Sequence, residues 1–88
     1  MNWTVRWEDE AAEDLAHLAC RDPKRAANII QRVVDFAEQG RGDIKKLAAR
    51  QDEWRLRVGS WRVIFTFNRA ERELLELSVE TRGRAYRD

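Results

Sequence analysis

The chain has few of the residues that form disulfides, metal sites or irregular loops. Its 88 residues include one cysteine, one histidine, one proline and four glycines. Cys20 cannot form an internal disulfide, and with His17 it completes no standard set of metal ligands. No apolar run is typical of a signal peptide or long enough to cross a bilayer. We therefore expect a cytoplasmic protein without a metal, a cofactor or a membrane partner, in which Cys20 is a buried or half-buried small side chain.

Charged and apolar residues are both abundant, and the charge is unevenly distributed along the chain. Hydrophobic residues make up 43% and charged residues 38%, with four Trp and three Phe, as in a folded domain of two packed layers. Residues 1–40 hold five Arg or Lys and eight Asp or Glu, whereas residues 41–88 hold twelve and eight. We therefore expect one domain over residues 1–88, with any anion-binding site in its second half.

Two apolar stripes with helical spacing predict two consecutive helices, at 9–20 and 23–39. Between them, Asp22 is placed to cap the second helix, and Gly40 can close that helix in the left-handed conformation. Because the break is so short, the helices should fold back as an antiparallel pair. Their joint apolar face should then cover a sheet.

Alternating apolar residues predict strands in the rest of the chain. In the last of these strands Leu75, Leu77 and Val79 share one phase, which would place them on one face. The resulting fold class is α+β, with an N-terminal strand and a two-helix hairpin packed on a mainly antiparallel meander. The predicted strands are 2–8, a short one near 44–48, and 54–58, 61–67 and 73–80.

The segment WRLRVGSWRVIF, residues 54–65, has the pattern of a tight hairpin. Gly59 and Ser60 form a two-residue turn, which fixes the register and places Arg57 opposite Arg62. Side chains alternate between the faces of a strand, so Arg55 shares the face of these two arginines. The other face should pack against the helices. It carries Trp54, Leu56, Val58, Trp61, Val63 and Phe65.

Two guanidinium groups directly opposite each other destabilise a strand pair unless something offsets their repulsion. One interpretation is an ordinary solvated face on which Glu76 or Glu80 of the last strand neutralises the arginines. The other is a face built for concentrated negative charge, because arginine stays protonated and its forked donors match phosphate oxygens. The pattern alone favours neither interpretation.

The tail after the last strand adds basic groups and the chain's single tyrosine. Arg82 and Tyr86 lie four residues apart, so they share one side if this segment takes a helical turn. A phenol beside guanidinium groups is a plausible proton acceptor or a platform for stacking a base. Tyr86 could equally be an amphipathic residue that pins the C-terminus.

The order of these elements, with WRLRVGSWRVIF followed by VETRGRAYR, resembles the RelE/ParE superfamily of toxins from bacterial type II toxin–antitoxin modules. The similarity covers nearly the whole chain. The basic hairpin and the terminal pair of Arg82 and Tyr86 are most similar to the RelE branch. The resemblance implies a single RelE-like domain and a cognate antitoxin with which the chain forms a hetero-oligomer.

Members of the RelE branch cut mRNA, typically in the ribosomal A site. The resemblance implies that Arg55 and Arg57 bind and orient the scissile phosphate and that Arg62 stabilises the charge developing on it. Arg82 would support the transition state or leaving group, and Tyr86 would act as general base toward the 2′-hydroxyl. Additional RNA contacts are expected from Lys45, Lys46 and Arg84.

The implied reaction leaves a 2′,3′-cyclic phosphate and a free 5′-hydroxyl, and it requires mainly positioning and electrostatic stabilisation. The best-known ribosome-dependent member has lysines where this chain has Arg55 and Arg57. Proton transfer is therefore not expected at these two positions, because arginine stays charged.

Two other functions are compatible with the same fold, since fold does not fix function. A ParE-like toxin would inhibit DNA gyrase without cutting RNA, and a degenerate toxin would only bind its antitoxin. Arg82 with Tyr86 favours the nuclease, because a gyrase inhibitor has no need of a proton acceptor beside a cationic cluster. The antitoxin should lay an amphipathic helix or strand over the helical hairpin or the basic face.

Overall fold

Two helices pack on a five-stranded sheet in the part of the chain that the computed structural model describes, residues 2–48 and 52–81. The predicted helices and strands are all present, and their ends lie within two residues of the predictions. In chain order they are β1 (Thr4–Trp7), α1 (Asp9–Arg21), α2 (Pro23–Gln39), β2 (Asp43–Lys46), β3 (Trp54–Val58), β4 (Trp61–Asn68) and β5 (Glu73–Thr81).

The strand order across the sheet is β1-β5-β4-β3-β2. Strands β2 to β5 form an antiparallel meander, and β1 pairs in parallel with β5. The N–H of Thr4 donates to the carbonyl of Arg72 and the N–H of Glu8 donates to that of Glu76, each at 2.9 Å. The predicted α+β class, with its mainly antiparallel sheet, is therefore confirmed.

The helix ends have the predicted caps. The Asp22 side chain accepts a hydrogen bond from the N–H of Arg25 at 3.1 Å, and Gly40 ends α2 with φ of 74°. Cys20, which we expected to be buried or half-buried, is exposed on α1. Neither helix has the length and apolar character needed to span a membrane, within the described ranges.

The hydrophobic core lies between the helices and one face of the sheet. Phe36 of α2 packs against Phe65, with ring centroids 5.5 Å apart, and Phe65 packs against Phe67 at 5.4 Å. Gly42 allows the chain to pass close to this core, because a Cβ at that position would lie 2.8 Å from Cδ1 of Leu56. The buried apolar residues shared by helices and sheet include Leu18, Ala26, Ile29, Val33, Leu56, Val58, Val63, Leu74 and Val79.

A β-bulge in β5 contradicts the predicted common phase of its apolar residues. The register shifts where β4 passes from Ile64 to Phe65, and Leu77 is the extra residue of β5. An extra residue reverses the alternation of side chains beyond it. Val79 therefore faces the helices, whereas Leu75 lies on the opposite face.

Candidate nucleic-acid interface

The β3–β4 hairpin has the register predicted from its two-residue turn. Gly59 adopts φ of 62°, a left-handed value that glycine reaches without strain. Arg57 lies opposite Arg62, and Arg55 lies opposite Ile64. The alternate residues of both strands belong to the core, so the three arginines lie on the sheet face away from the helices.

These arginines line a groove of about 460 Å³ together with the lysines of β2. Strand β2 pairs antiparallel with β3, and this pairing brings Lys45 beside Arg55. The groove therefore contains every predicted site residue that the structure describes. Its cationic residues are Lys45, Lys46, Arg55, Arg57 and Arg62, and it is completed by Leu47 and Ala48. The other predicted site residues, Arg82, Arg84 and Tyr86, lie outside the described residues.

A single row of charged side chains crosses four strands at this groove. Asp43 of β2 pairs with Arg57, Arg57 with Arg62, and Arg62 with Glu80 of β5. Directly opposite residues in antiparallel strands share a face. The two like charges in the middle of the row are therefore flanked by a carboxylate on each side, which offsets their repulsion.

Asp43 binds two of the groove arginines. Arg55 donates from Nη1 to the backbone carbonyl of Asp43 at 3.0 Å and to its Oδ1 at 3.2 Å. The Asp43 Oδ2 lies 3.9 Å from Nη1 of Arg57. The Arg55 side chain is 12% exposed, whereas that of Arg57 is 50% exposed. Arg57 is therefore much more accessible to a ligand than Arg55.

The structure decides which glutamate of β5 approaches the arginines. Glu80 shares the face of Arg62, and its Oε2 accepts a hydrogen bond from the Ser78 hydroxyl at 2.7 Å. Glu76 lies opposite Phe65 on the helix side and is 1% exposed. Burial raises the pKa of the Glu76 carboxyl to about 8. Glu76 therefore does not belong to the charged row.

Sequence reasoning missed Asp43, because the predicted strand began at residue 44 and its partner strand was unknown. Strict alternation outward from the Gly59 turn does not reach β2, which joins the sheet through a separate connection. The only available signal was the acidic residue just before Ile44, with two lysines after it.

The groove has the chemistry of a phosphate-binding surface. Arginine retains its charge and donates two parallel hydrogen bonds to an oxyanion, while lysine adds a compact point charge. Among the described residues, no three His, Cys, Asp or Glu side chains are grouped to hold a metal ion. The guanidinium and ammonium groups of the groove are suited to bind an anion directly.

Several toxins with solved structures have similar folds. The toxin–antitoxin complex RelBE2 from Mycobacterium tuberculosis aligns with a TM-score of 0.78 and 22% identity, covering 93% of this chain and 100% of that one. The archaeal RelE–RelB complex from Pyrococcus horikoshii OT3 gives 0.74 and 21%, covering 96% and 99%. A mutant E. coli toxin RelE in the free state gives 0.77 and 15%, covering 98% and 90%. At these identities the likeness shows a RelE-like fold.

The sequence itself matches a family model over most of its length. Among curated proteins, none matches the chain. Residues 5–86 match the family described as the ParE toxin of the type II toxin–antitoxin system parDE. This match includes both helices, the whole sheet apart from Thr4, and the basic groove. The chain therefore belongs to the ParE toxin family, within the RelE/ParE superfamily of type II toxins.

Proposed function

We propose that this toxin is a metal-independent endoribonuclease that cuts mRNA, most effectively on the ribosome. The observation that carries the proposal is the basic groove, in which Arg57 and Arg62 face each other across the hairpin. Backbone pairing holds these two permanently charged side chains directly opposite each other. They are therefore preorganised to receive a phosphodiester. A merely solvated charged face would not require a concave site lined by five cationic residues.

The reaction is an attack of the 2′-hydroxyl on the adjacent phosphorus. A bond forms from the 2′-oxygen to phosphorus while the bond from phosphorus to the 5′-oxygen breaks, leaving a 2′,3′-cyclic phosphate and a 5′-hydroxyl. Arg57 orients the phosphate and Arg62 stabilises the negative charge that develops on it. Arg55, whose Nη1 is bound to Asp43, contributes charge at the floor of the groove.

The proton steps are assigned to the tail, from the resemblance alone. Tyr86 takes the proton of the 2′-hydroxyl, and Arg82 supports the transition state or the leaving 5′-oxygen, which then takes a proton from water to become the 5′-hydroxyl. Lys45, Lys46 and Arg84 contact the flanking RNA backbone. Guanidinium groups near a phenol favour its ionised form, and such groups would assist Tyr86 as a base.

The partners of this chain are a cognate antitoxin and ribosome-bound mRNA in the cytoplasm. The similar M. tuberculosis and P. horikoshii toxins were solved as complexes with antitoxins, which supports a toxin–antitoxin hetero-oligomer here. An antitoxin that covered the basic face would block access of RNA to Arg57 and Arg62.

Inhibition of DNA gyrase without RNA cleavage is the second candidate function. The family description favours it, because the matching family is the ParE toxin. In that case the basic groove would bind gyrase or its DNA, and no proton acceptor would be needed at Tyr86.

The two functions are separated by supplying the purified chain with translating ribosomes in one assay and with DNA gyrase in another. We expect mRNA cuts with cyclic phosphate ends, reduced by roughly 100-fold or more in Arg62→Ala and Tyr86→Phe, as for loss of a charge-stabilising or proton-transfer group. Arg32→Ala, which removes an exposed arginine of α2, is the matched control and should cut like the wild type. Inhibition of gyrase with intact mRNA would overturn the nuclease proposal.

A further inference from the structure

The Asp43 carboxylate already occupies the anion-binding side of two groove arginines. Arg55 and Arg57 are two residues apart in β3, so their side chains leave the same face of the strand. One carboxylate oxygen of Asp43 meets Arg55 at 3.2 Å and the other lies 3.9 Å from Arg57. A carboxylate that spans two guanidinium groups in this way presents them with two oxygens, as a phosphate would.

The backbone of Asp43 contributes separately from its side chain. Its carbonyl accepts a hydrogen bond from Arg55 Nη1 at 3.0 Å, and this contact does not depend on the residue type at position 43. The Asp43 side chain is 58% exposed and can turn toward solvent. A ligand could therefore displace the carboxylate while Arg55 stays anchored to the strand.

We propose that Asp43 is an intramolecular competitor for the phosphate site of the groove, and that an entering nucleic-acid backbone displaces its carboxylate from Arg55 and Arg57. Identifying the ligand as nucleic acid rests on the proposed function. Because of this competition, the groove binds isolated anions with low affinity. It favours a polyanion that also binds Lys45 and Arg62. Asp43 is thus a specificity-determining residue in contact with the binding groups.

Nucleic-acid binding should respond to this carboxylate in both affinity and salt dependence. Each phosphate neutralised on a single strand contributes about −0.7 to the slope of log affinity against log salt. While the Asp43 carboxylate is paired with Arg55 and Arg57, these arginines neutralise fewer phosphates of the nucleic acid. Removing the Asp43 charge should therefore strengthen binding at low salt and make the slope steeper.

The test uses Asp43→Asn in the full chain, with Asp35→Asn as the matched control. Asp35 lies in α2 and accepts a hydrogen bond from Gln31 at 2.9 Å, so both substitutions remove one charge and keep an acceptor oxygen. The probe is a mixed-sequence single-stranded DNA oligonucleotide, which lacks the 2′-hydroxyl and cannot be cut by the proposed reaction. Binding is measured by fluorescence anisotropy between roughly 50 and 200 mM salt, a range over which phosphate contacts are strongly weakened.

We expect Asp43→Asn to bind the oligonucleotide about 3- to 10-fold more tightly at 50 mM salt, with a slope steeper by about 0.7. Asp35→Asn should stay within about 2-fold of the wild type, since its charge lies on the helical layer. Asp43→Ala should bind the oligonucleotide as tightly as Asp43→Asn, because both variants lack the carboxylate. That result would exclude a special effect of the introduced amide. Equal binding by the Asp43 and Asp35 variants would overturn the proposal.

Cleavage by the wild-type chain, measured on ribosome-bound mRNA, separates this proposal from the proposed function. If the wild type cuts no RNA but Asp43→Asn still binds the oligonucleotide more tightly, the nuclease is rejected and the competitor is supported. If the wild type cuts RNA and the Asp43 and Asp35 variants bind alike, the competitor is rejected and the nuclease stands.

Discussion

The two faces of the sheet carry opposite chemistry although the same strands build both. The face toward the helices is apolar, and its aromatic rings touch one another at centroid distances near 5.5 Å. The other face carries the row of charges from Asp43 to Glu80 and the basic groove. Alternation within each strand makes this division possible, because neighbouring residues point in opposite directions.

The difference shows that stability and binding are assigned to separate faces. Burial of large apolar side chains on the helix face contributes on the order of 1.5 to 3 kcal/mol each. Exposed ion pairs such as that of Asp43 and Arg57 contribute about 0 to 1 kcal/mol. Residues on the charged face can therefore serve a ligand at little cost in stability, except where they are buried, as Ile64 and Glu80 are.

Phe65→Ala is expected to produce the largest effect, because Phe65 is 1% exposed at the centre of the apolar face. Truncating a buried phenylalanine lowers the free energy of unfolding by about 3 to 5 kcal/mol. Urea unfolding followed by tryptophan fluorescence measures the loss. Thr66→Ser is the control on the next residue of β4. It keeps the hydroxyl that donates to the Asp52 carbonyl at 2.6 Å and should lose less than about 1 kcal/mol. Equal losses in both variants would contradict the division between the faces.

Local patterns in the sequence were sufficient to predict the two helices and the β3–β4 hairpin. Helical spacing, the Asp22 cap and the left-handed Gly40 fixed α2, and the Gly59 turn fixed the pairing of Arg57 with Arg62. These features depend on residues within a few positions of one another. The prediction therefore needed no knowledge of how distant segments meet.

The charged face could be predicted only in part, because distant strand pairings complete it. Asp43 joins the row through β2, and Glu80 joins it beyond the bulge at Leu77. Alternation without that bulge gives β5 the wrong phase, and the sequence contains no signal for the extra residue. The three hairpin arginines were predictable, Glu80 was one of two candidates that the sequence left open, and Asp43 was missed.

Glu76→Gln tests how the buried Glu76 carboxyl on the apolar face affects stability. Burial raises the pKa of Glu76 from 4.5 to about 8, so the folded state keeps the proton over a range in which the unfolded state releases it. The contribution of Glu76 to the free energy of unfolding is therefore largest below about pH 4.5 and is lost as the pH rises to about 8. At pH 7 the penalty is roughly 3 kcal/mol, from 1.36 kcal/mol per pKa unit. Glutamine cannot ionise and should remove this penalty.

The measurement for Glu76→Gln is urea unfolding at several pH values. The curves of stability against pH for the wild type and the variant should meet near pH 4.5 and separate as the pH rises. Glu73→Gln is the control in the same strand, because Glu73 is less buried than Glu76 and lies 3.8 Å from the exposed Arg6. Parallel curves for the wild type and Glu76→Gln between pH 5 and 8 would show that Glu76 is hydrated rather than desolvated.

Arg57→Gln should have the smallest effect on stability. It is the strictest test of whether stability and binding are assigned to separate faces of the sheet. The substitution relieves repulsion with Arg62 but also removes the weak pairing with Asp43 at 3.9 Å, so the free energy of unfolding should change by less than about 0.5 kcal/mol. Leu56→Ala, one residue earlier on the opposite face, should lose about 2 to 5 kcal/mol in the same urea titration. A loss above about 1.5 kcal/mol in Arg57→Gln would exceed any exposed ion pair. The charged face would then help to hold β2, β3 and β4 together, in addition to any role in binding.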